Sequence, residues 1–389
     1  MSACEAISIY IHIPFCTTKC TYCAFNTYTN QESLIQPFTE AVARELRIVG
    51  SSAPGTPAHT VFFGGGTPSL LTPRQLDAIL QAVTDSFVLA AGAEISLEAN
   101  PNDLDRDYLA ALRSLGINRL SIGMQSAVPS ELALFARRHD NDAVVRAVSA
   151  ARAAGFDNIN LDLIYGVPHQ TLDNWATSLN QMLALQPEHV SLYALGLEDG
   201  TPMKRWVERG QLPAPDDDLS ADMYELATER LTAAGYEQYE ISNWSKPGRA
   251  CRHNLQYWYN LPYIGVGPGA HGFAGGIRYS TILNPQRYIR ALQNDAADCP
   301  FPLTPAVAEW TALDQRGEIA ETLIMSLRLT RQGVERAAFA RRFGVDLLDV
   351  HGETIERFAR FGLLSVDDER VRLTERGRLL SNVIFRELV

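Results

Sequence analysis

The sequence predicts an α/β protein, with six strand–helix units in its first two-thirds and a small, mainly helical domain after them. Three observations carry this reading. Apolar strand-like runs alternate with amphipathic stretches of helical length. Those stretches begin and end on recognisable caps. Beyond residue 300 the alternation gives way to short helices and one hairpin-like wing.

The strand runs come in order. They are "ISIYIHI" (7–13), "TVFF" (60–63), "EISLEA" (94–99), "RLSIGM" (119–124), "NINLDLI" (158–164) and "HVSLYAL" (189–195). Between them, "TPRQLDAILQAVTDSF" places Thr72 as an N-cap and Pro73 at the first helical position. "DLDRDYLAALRSLG" stops on Gly116 and "VVRAVSAARAAG" on Gly155, where glycine suits a helix C-terminus. Repeated βα units imply parallel strands with right-handed crossovers. Six units make an open doubly wound sheet or a barrel short of the usual eight. Either form puts chemistry at the C-terminal strand ends.

After residue 200, "LEDGTPMKRWVERGQLPAPDDD" reads as loop and "LSADMYELATERLTAAG" as one more helix. An aromatic- and glycine-rich segment follows. From residue 301, short helices, a two-stranded wing and a last helix read as a winged-helix-like domain. The expected divisions are a barrel (1–235), a linking segment (236–300) and the C-terminal domain (301–389).

Composition narrows the function. The net charge of −11 disfavours nonspecific nucleic-acid binding, which needs a basic surface. Residues 331–389 carry 11 basic and 10 acidic side chains, too balanced for a phosphate-gripping wing. No apolar run approaches the roughly 18 residues of a membrane span. The N-terminus lacks the features of a secretory signal. Six cysteines in 389 residues do not make a disulfide scaffold. The expected compartment is the reducing cytoplasm.

Three of those cysteines, Cys16, Cys20 and Cys23, form C-x3-C-x2-C just after the first strand. Soft thiolates suit iron–sulfur clusters or zinc. Both usually take four protein ligands, so three thiolates on a [4Fe–4S] cluster leave one iron open. Zinc with His12 as fourth ligand, and inert thiols, are the alternatives. Cys4 and Cys299 read as incidental, and Cys251 as a bystander beside His253.

The cysteine motif resembles that of the radical S-adenosylmethionine (SAM) enzymes. In that family the open iron chelates SAM, and the usual fold is a partial (β/α)6 barrel. "FFGGGTPSL" resembles the family's glycine motif beside SAM's methionine part. Polar Glu98, Gln125 and Asp162 stand at the ends of the third, fourth and fifth strands.

A narrower resemblance covers nearly the whole chain. "YIHIPFCTTKCTYCAFNT", "GGGTPS", "LEANP", "SIGMQS" and "DLIYGVP" are similar to the branch holding oxygen-independent coproporphyrinogen III dehydrogenases and their heme-chaperone relatives. The resemblance implies a SAM-ligated [4Fe–4S] cluster. It also implies SAM contacts from Tyr10, Tyr22, Gly65, Gly66, Thr67, Glu98, Gln125, Arg137 and Asp162. The dehydrogenases carry a fourth cysteine where this chain has Phe25, and a long N-terminal extension for which residues 1–6 leave no room. The chaperone relatives have an aromatic at Phe25. "HNLQYW", with His253, Asn254, Tyr257 and Trp258, matches their H-N-x-x-Y-W heme motif. Imidazole is a common heme ligand, and aromatic rings offer faces to a porphyrin.

The expectation is therefore a heme chaperone passing heme to acceptor proteins, including membrane-associated respiratory ones, with a homodimer and a peripheral membrane location in view. The alternatives are oxidative decarboxylation of coproporphyrinogen III, disfavoured by Phe25, and a zinc-binding interaction module.

Overall fold

The computed structural model describes residues 6–293 and 299–388, which leaves Cys4 outside the described residues. Six strands lie side by side in chain order. They are β1 (Ile7–Ile13), β2 (Pro57–Gly65), β3 (Val88–Ala99), β4 (Arg119–Gln125), β5 (Ile159–Tyr165) and β6 (His189–Ala194). All five pairings among them are parallel. A helix crosses back after each strand, as parallel pairing requires.

The crossover helices start where the sequence says. Thr72 caps Pro73–Ser86 and shares a reciprocal capping box with Gln75. Asp105, Asp140 and Thr171 each accept a backbone N–H in the first turn of their helices. Gly116 and Gly155 both take φ of +88°, the left-handed stop. Trp175 is fully buried, and its indole N–H donates to the Met223 carbonyl at 2.7 Å. Losing such a side chain costs about 3–5 kcal/mol.

The sheet does not stop at six strands. β7 (Glu237–Glu240) and β8 (Asn243–Ser245) form an antiparallel pair, and β8 joins β6. On the other edge, β9 (Tyr263–Val266) runs parallel to β1. β10 (His271–Ala274), β11 (Ile277–Thr281) and β12 (Val307–Ala312) follow it antiparallel. The result is one twelve-stranded sheet, β12-β11-β10-β9-β1-β2-β3-β4-β5-β6-β8-β7, open at both ends. The aromatic- and glycine-rich segment thus supplies strands on both flanks. The segment expected to be loop after residue 200 contains a helix, Pro202–Glu208, capped by Thr201.

The C-terminal part has its own apolar core, including Leu323, Phe339, Ile355, Val371 and Ile384. Its small sheet has the order β13 (Val334–Glu335), β15 (Arg370–Leu373), β14 (Leu364–Val366), with helices Arg336–Phe343 and Leu347–Arg360 beside it. Arg342 donates to the Asn260 carbonyl, and Arg378 to Gln238, tying this part to the large sheet. Among the described residues no helix is long and apolar enough to cross a membrane.

Candidate cofactor site

A cavity of 630 Å³ opens at the C-terminal ends of β1–β6. Parallel strands alternate their side chains, so every second residue of β4 (Arg119, Ser121, Gly123 and Gln125) lines it. Glu98 enters from β3, Asp162 from β5, and Gly65, Gly66 and Thr67 from the turn after β2. All three cysteines and Tyr22 border it from the loop after β1.

The cysteine loop is held from two sides. Thr67 donates its hydroxyl to Cys16 Sγ at 3.4 Å. Arg137 donates to Cys20 Sγ at 3.5 Å and to the Gly123 carbonyl at 2.9 Å. Burial pushes the thiols of Cys16 and Cys23 above their ordinary range, and hydrogen bonds pull the other way. All three are free thiols. Among the described residues, no group of three or more His, Cys, Asp or Glu side chains is gathered to hold a single metal ion. Three thiols bordering one cavity form the kind of soft donor set that an iron–sulfur cluster or a zinc ion takes. His12 does not join them: its ring nitrogens lie 3.0 Å from the Tyr10 hydroxyl and 3.0 Å from the Asn26 carbonyl.

The glycine turn is shaped for close approach. Gly65 has φ of +111°, and a Cβ there would lie 2.5 Å from the His12 ring. Its N–H donates to Glu98 at 3.0 Å. Burial and the nearby Asp162 raise Glu98 from 4.5 to about 7. Burial likewise raises Asp162, against hydrogen bonds from Asn160, Ser191 and Ser121. Gln125 sits at φ of +65°, a conformation rare for a non-glycine residue. That turn lies where the β4–β5 register slips, at the cavity rim.

Several cavity residues escaped the sequence reading. Arg119 is 1 % exposed and its Nε has no hydrogen-bond partner. Asn160 bridges Ser121, Asp162 and His189. Tyr193 lines the cavity from the end of β6. The available signal was period-two alternation back from the strand ends.

The four residues of the histidine motif sit on one short helix, Arg252–Trp258, and point to different places. Asn254 borders the large cavity. Tyr257 borders a second one, of 360 Å³, together with Tyr10 and Phe25. Trp258 faces the C-terminal part, with the Arg328 guanidinium 4.5 Å over its ring. His253 is 1 % exposed and fully engaged. Its Nδ1 lies 2.7 Å from Thr60 Oγ1 and its Nε2 2.8 Å from the Tyr257 hydroxyl. Burial, with Arg119 and His59 nearby, lowers it to about 3, so the ring is neutral. Both ring nitrogens thus have hydrogen-bond partners. Cys251 is also buried, and its thiol donates to Glu94.

Comparison with known proteins agrees with this architecture. The sequence model of the radical SAM superfamily matches residues 10–182, and that of the HemN C-terminal domain matches residues 313–380. The solved structure of coproporphyrinogen III oxidase (HemN) from Escherichia coli superposes with a TM-score of 0.84, covering 98% of this chain and 90% of that one, at 24% identity. That likeness speaks to the fold. The heme chaperone HemW of Mycobacterium tuberculosis is 40% identical over 388 residues, 99% of this chain and 95% of its own. HemW of Bacillus subtilis is 36% identical over 379 residues, 97% of this chain and 98% of its own. With a radical SAM fold and identity of this extent, the chain belongs to the HemW heme chaperone family of the radical SAM superfamily.

Proposed function

We propose that this protein binds heme and a SAM-ligated [4Fe–4S] cluster and delivers the heme to acceptor proteins. The observation that carries the cluster reading is the set of three free thiols on one cavity wall, facing the Gly65–Gly66–Thr67 turn. Cys16, Cys20 and Cys23 would hold the cluster. Its open iron would supply the site where SAM's amino and carboxylate groups bind. Gly65 and Gly66 leave room for backbone to approach that end of SAM, and Thr67 and Arg137 steady the thiolates. Glu98, Gln125 and Asp162 offer acceptors and donors around the rest of the molecule. Tyr22 closes the cavity against Phe135, at a ring separation of 5.0 Å.

The name carried by relatives along the full length of the chain supports heme as cargo. Phe25 stands where the dehydrogenases of the branch have a cysteine, which weighs against decarboxylation of coproporphyrinogen III.

The test is a reconstituted, anaerobic protein given reductant, SAM and coproporphyrinogen III, with 5′-deoxyadenosine and protoporphyrinogen quantified together, and a parallel hemin titration. Hemin binding without protoporphyrinogen is the expected result. Stoichiometric protoporphyrinogen would replace the chaperone reading with the dehydrogenase one.

A further inference from the structure

Arg119 stands at the floor of the large cavity. Parallel register sets its depth: Ser121 lies beside Glu98 and Asn160, and Arg119 lies beside Ser96, one layer below. From Gln125 at the rim, β4 carries the wall down about 20 Å to Arg119. The side chain is 1 % exposed and lines the cavity, yet its guanidinium makes no hydrogen bond or ion pair among the described residues. The carboxylates near it are turned elsewhere. Glu94 accepts the backbone N–H groups of Arg252 and His253, each at 3.1 Å, and the Cys251 thiol at 3.4 Å. Asp162 accepts from Asn160 at 2.8 Å and from Ser121 at 3.3 Å. Burial pushes the Cys251 thiol up to about 12 and raises the Tyr239 hydroxyl, so both are neutral at pH 7. Burial also lowers His189 and His253, which keeps both rings uncharged.

A buried charge is ordinarily paired or neutralised. Arginine does not give up its proton, so an unpaired guanidinium beside a void is a cation kept for a ligand. The shape of that ligand follows from the fork of the guanidinium, which matches a planar carboxylate. A phosphate brings a second charge, which the carboxyl groups of Glu98 and Asp162, standing above in the same cavity, oppose. We propose that the floor of the large cavity is a second binding site, in which Arg119 holds the carboxylate of a small organic acid. The carbon chain of the acid points up the cavity toward the place of SAM. That placement of SAM rests on the function proposed above; the anion site itself does not.

The floor is shared with the histidine motif. The helix Arg252–Trp258 starts on Glu94, and its Asn254 borders the same cavity. Buried Cys251 and His253 lie behind, so the acid enters from the rim. It then sits beside the helix that carries His253 without using either nitrogen of that ring.

The experiment follows thermal unfolding of the full-length protein in sodium acetate or sodium propionate against sodium chloride at equal ionic strength. The wild type, Arg119→Met and Arg119→Lys are compared, and SAM binding to the reconstituted protein is read in parallel by equilibrium dialysis. Both acids should raise the wild-type melting temperature in a saturable way. Arg119→Met should lose that response. In chloride it should melt no lower than the wild type, because an apolar chain of similar length removes an unpaired buried charge. Arg119→Lys, a point charge without the fork, should bind the acids roughly tenfold more weakly. If neither acid stabilises the wild type, or if Arg119→Met keeps the response, the site is overturned. If Arg119→Met melts lower than the wild type or fails to fold, the guanidinium is structural and the proposal falls. A response to the acids without SAM binding keeps the floor site and removes the SAM reading; SAM binding without that response removes the floor site alone.

Discussion

Arg137 and Cys20 are 117 positions apart in the chain, yet the guanidinium donates to the thiol sulfur at 3.5 Å. The same side chain binds the Gly123 carbonyl, so it links the cysteine loop to β4. Burial alone would weaken its charge, but Tyr22 and Cys20 more than offset that. A charge-assisted hydrogen bond of this kind contributes about 1.5–3 kcal/mol. Arg137→Ala should therefore weaken SAM binding to the reconstituted protein by roughly tenfold or more. Equilibrium dialysis reads it; equal affinity would remove Arg137 from the site.

Removing one thiolate tests the cluster directly. Cys20→Ala should lose the brown colour, iron and labile sulfide of anaerobically reconstituted protein, because two thiolates cannot hold the cuboid. Full iron and sulfide content in the variant would exclude these cysteines as ligands. Zinc in place of iron in the wild type would exclude the cluster itself.

Glu98 gives a pH signature. In the unfolded chain it releases its proton near 4.5, and in the fold near 7. Between those values the folded state holds more protons, so stability falls as pH rises, and above 7 the loss is complete. Glu98→Gln removes this dependence. Its gain in unfolding free energy over the wild type, in cluster-free protein, should grow from pH 5 to pH 7 and then level, reaching about 3 kcal/mol. A gain independent of pH would contradict the raised value.

His253 is packed between two aromatic rings. Phe62 stacks on it at 5.0 Å and Tyr257 meets its edge at 5.0 Å. His253→Ala opens a void and strips partners from Thr60 and Tyr257, a cost of about 2–4 kcal/mol. Denaturant melts should report that loss. A hemin titration corrected for the folded fraction should show weaker binding by His253→Ala; equal affinity of the folded protein would remove His253 from the heme site.

The turn at Gly65 is a packing limit. Gly65→Ala forces a side chain into a left-handed φ and against His12. A loss of about 1–3 kcal/mol is expected, partly recovered when His12→Ala is added. Additive effects in the double-mutant cycle would show that His12 is not what the new methyl meets.

Much of this was legible before the structure. β1 matches its run residue for residue, because isoleucine at every second position up to a proline leaves little choice. Thr72 and Pro73 opened their helix as read, since a cap is a local device. The helix Pro202–Glu208 went unseen: its apolar stripe, Met203, Trp206 and Val207, spans barely one turn among charged residues. β9 to β11 were hidden because each is five residues or fewer between glycines. At the site, strand-end polar residues could be found by counting, but Arg119, six residues before Gln125 along β4, needed the inward face of the strand to be known. The surroundings of the histidine motif could not be read from its spacing. Positions 253, 254, 257 and 258 share one side of a helix, yet packing buries His253, leaves Asn254 at the large cavity and turns Trp258 to the C-terminal part.

The loop that carries the cysteines is a partition between two chambers. Ala24 and Phe25 line both the large cavity and the second one, and Asn26 anchors the wall's edge. A partition cannot shift toward one chamber without enlarging the other. Thermodynamic linkage makes the exchange symmetric: whatever free energy an occupant of the first chamber adds to binding in the second, the second occupant returns to the first.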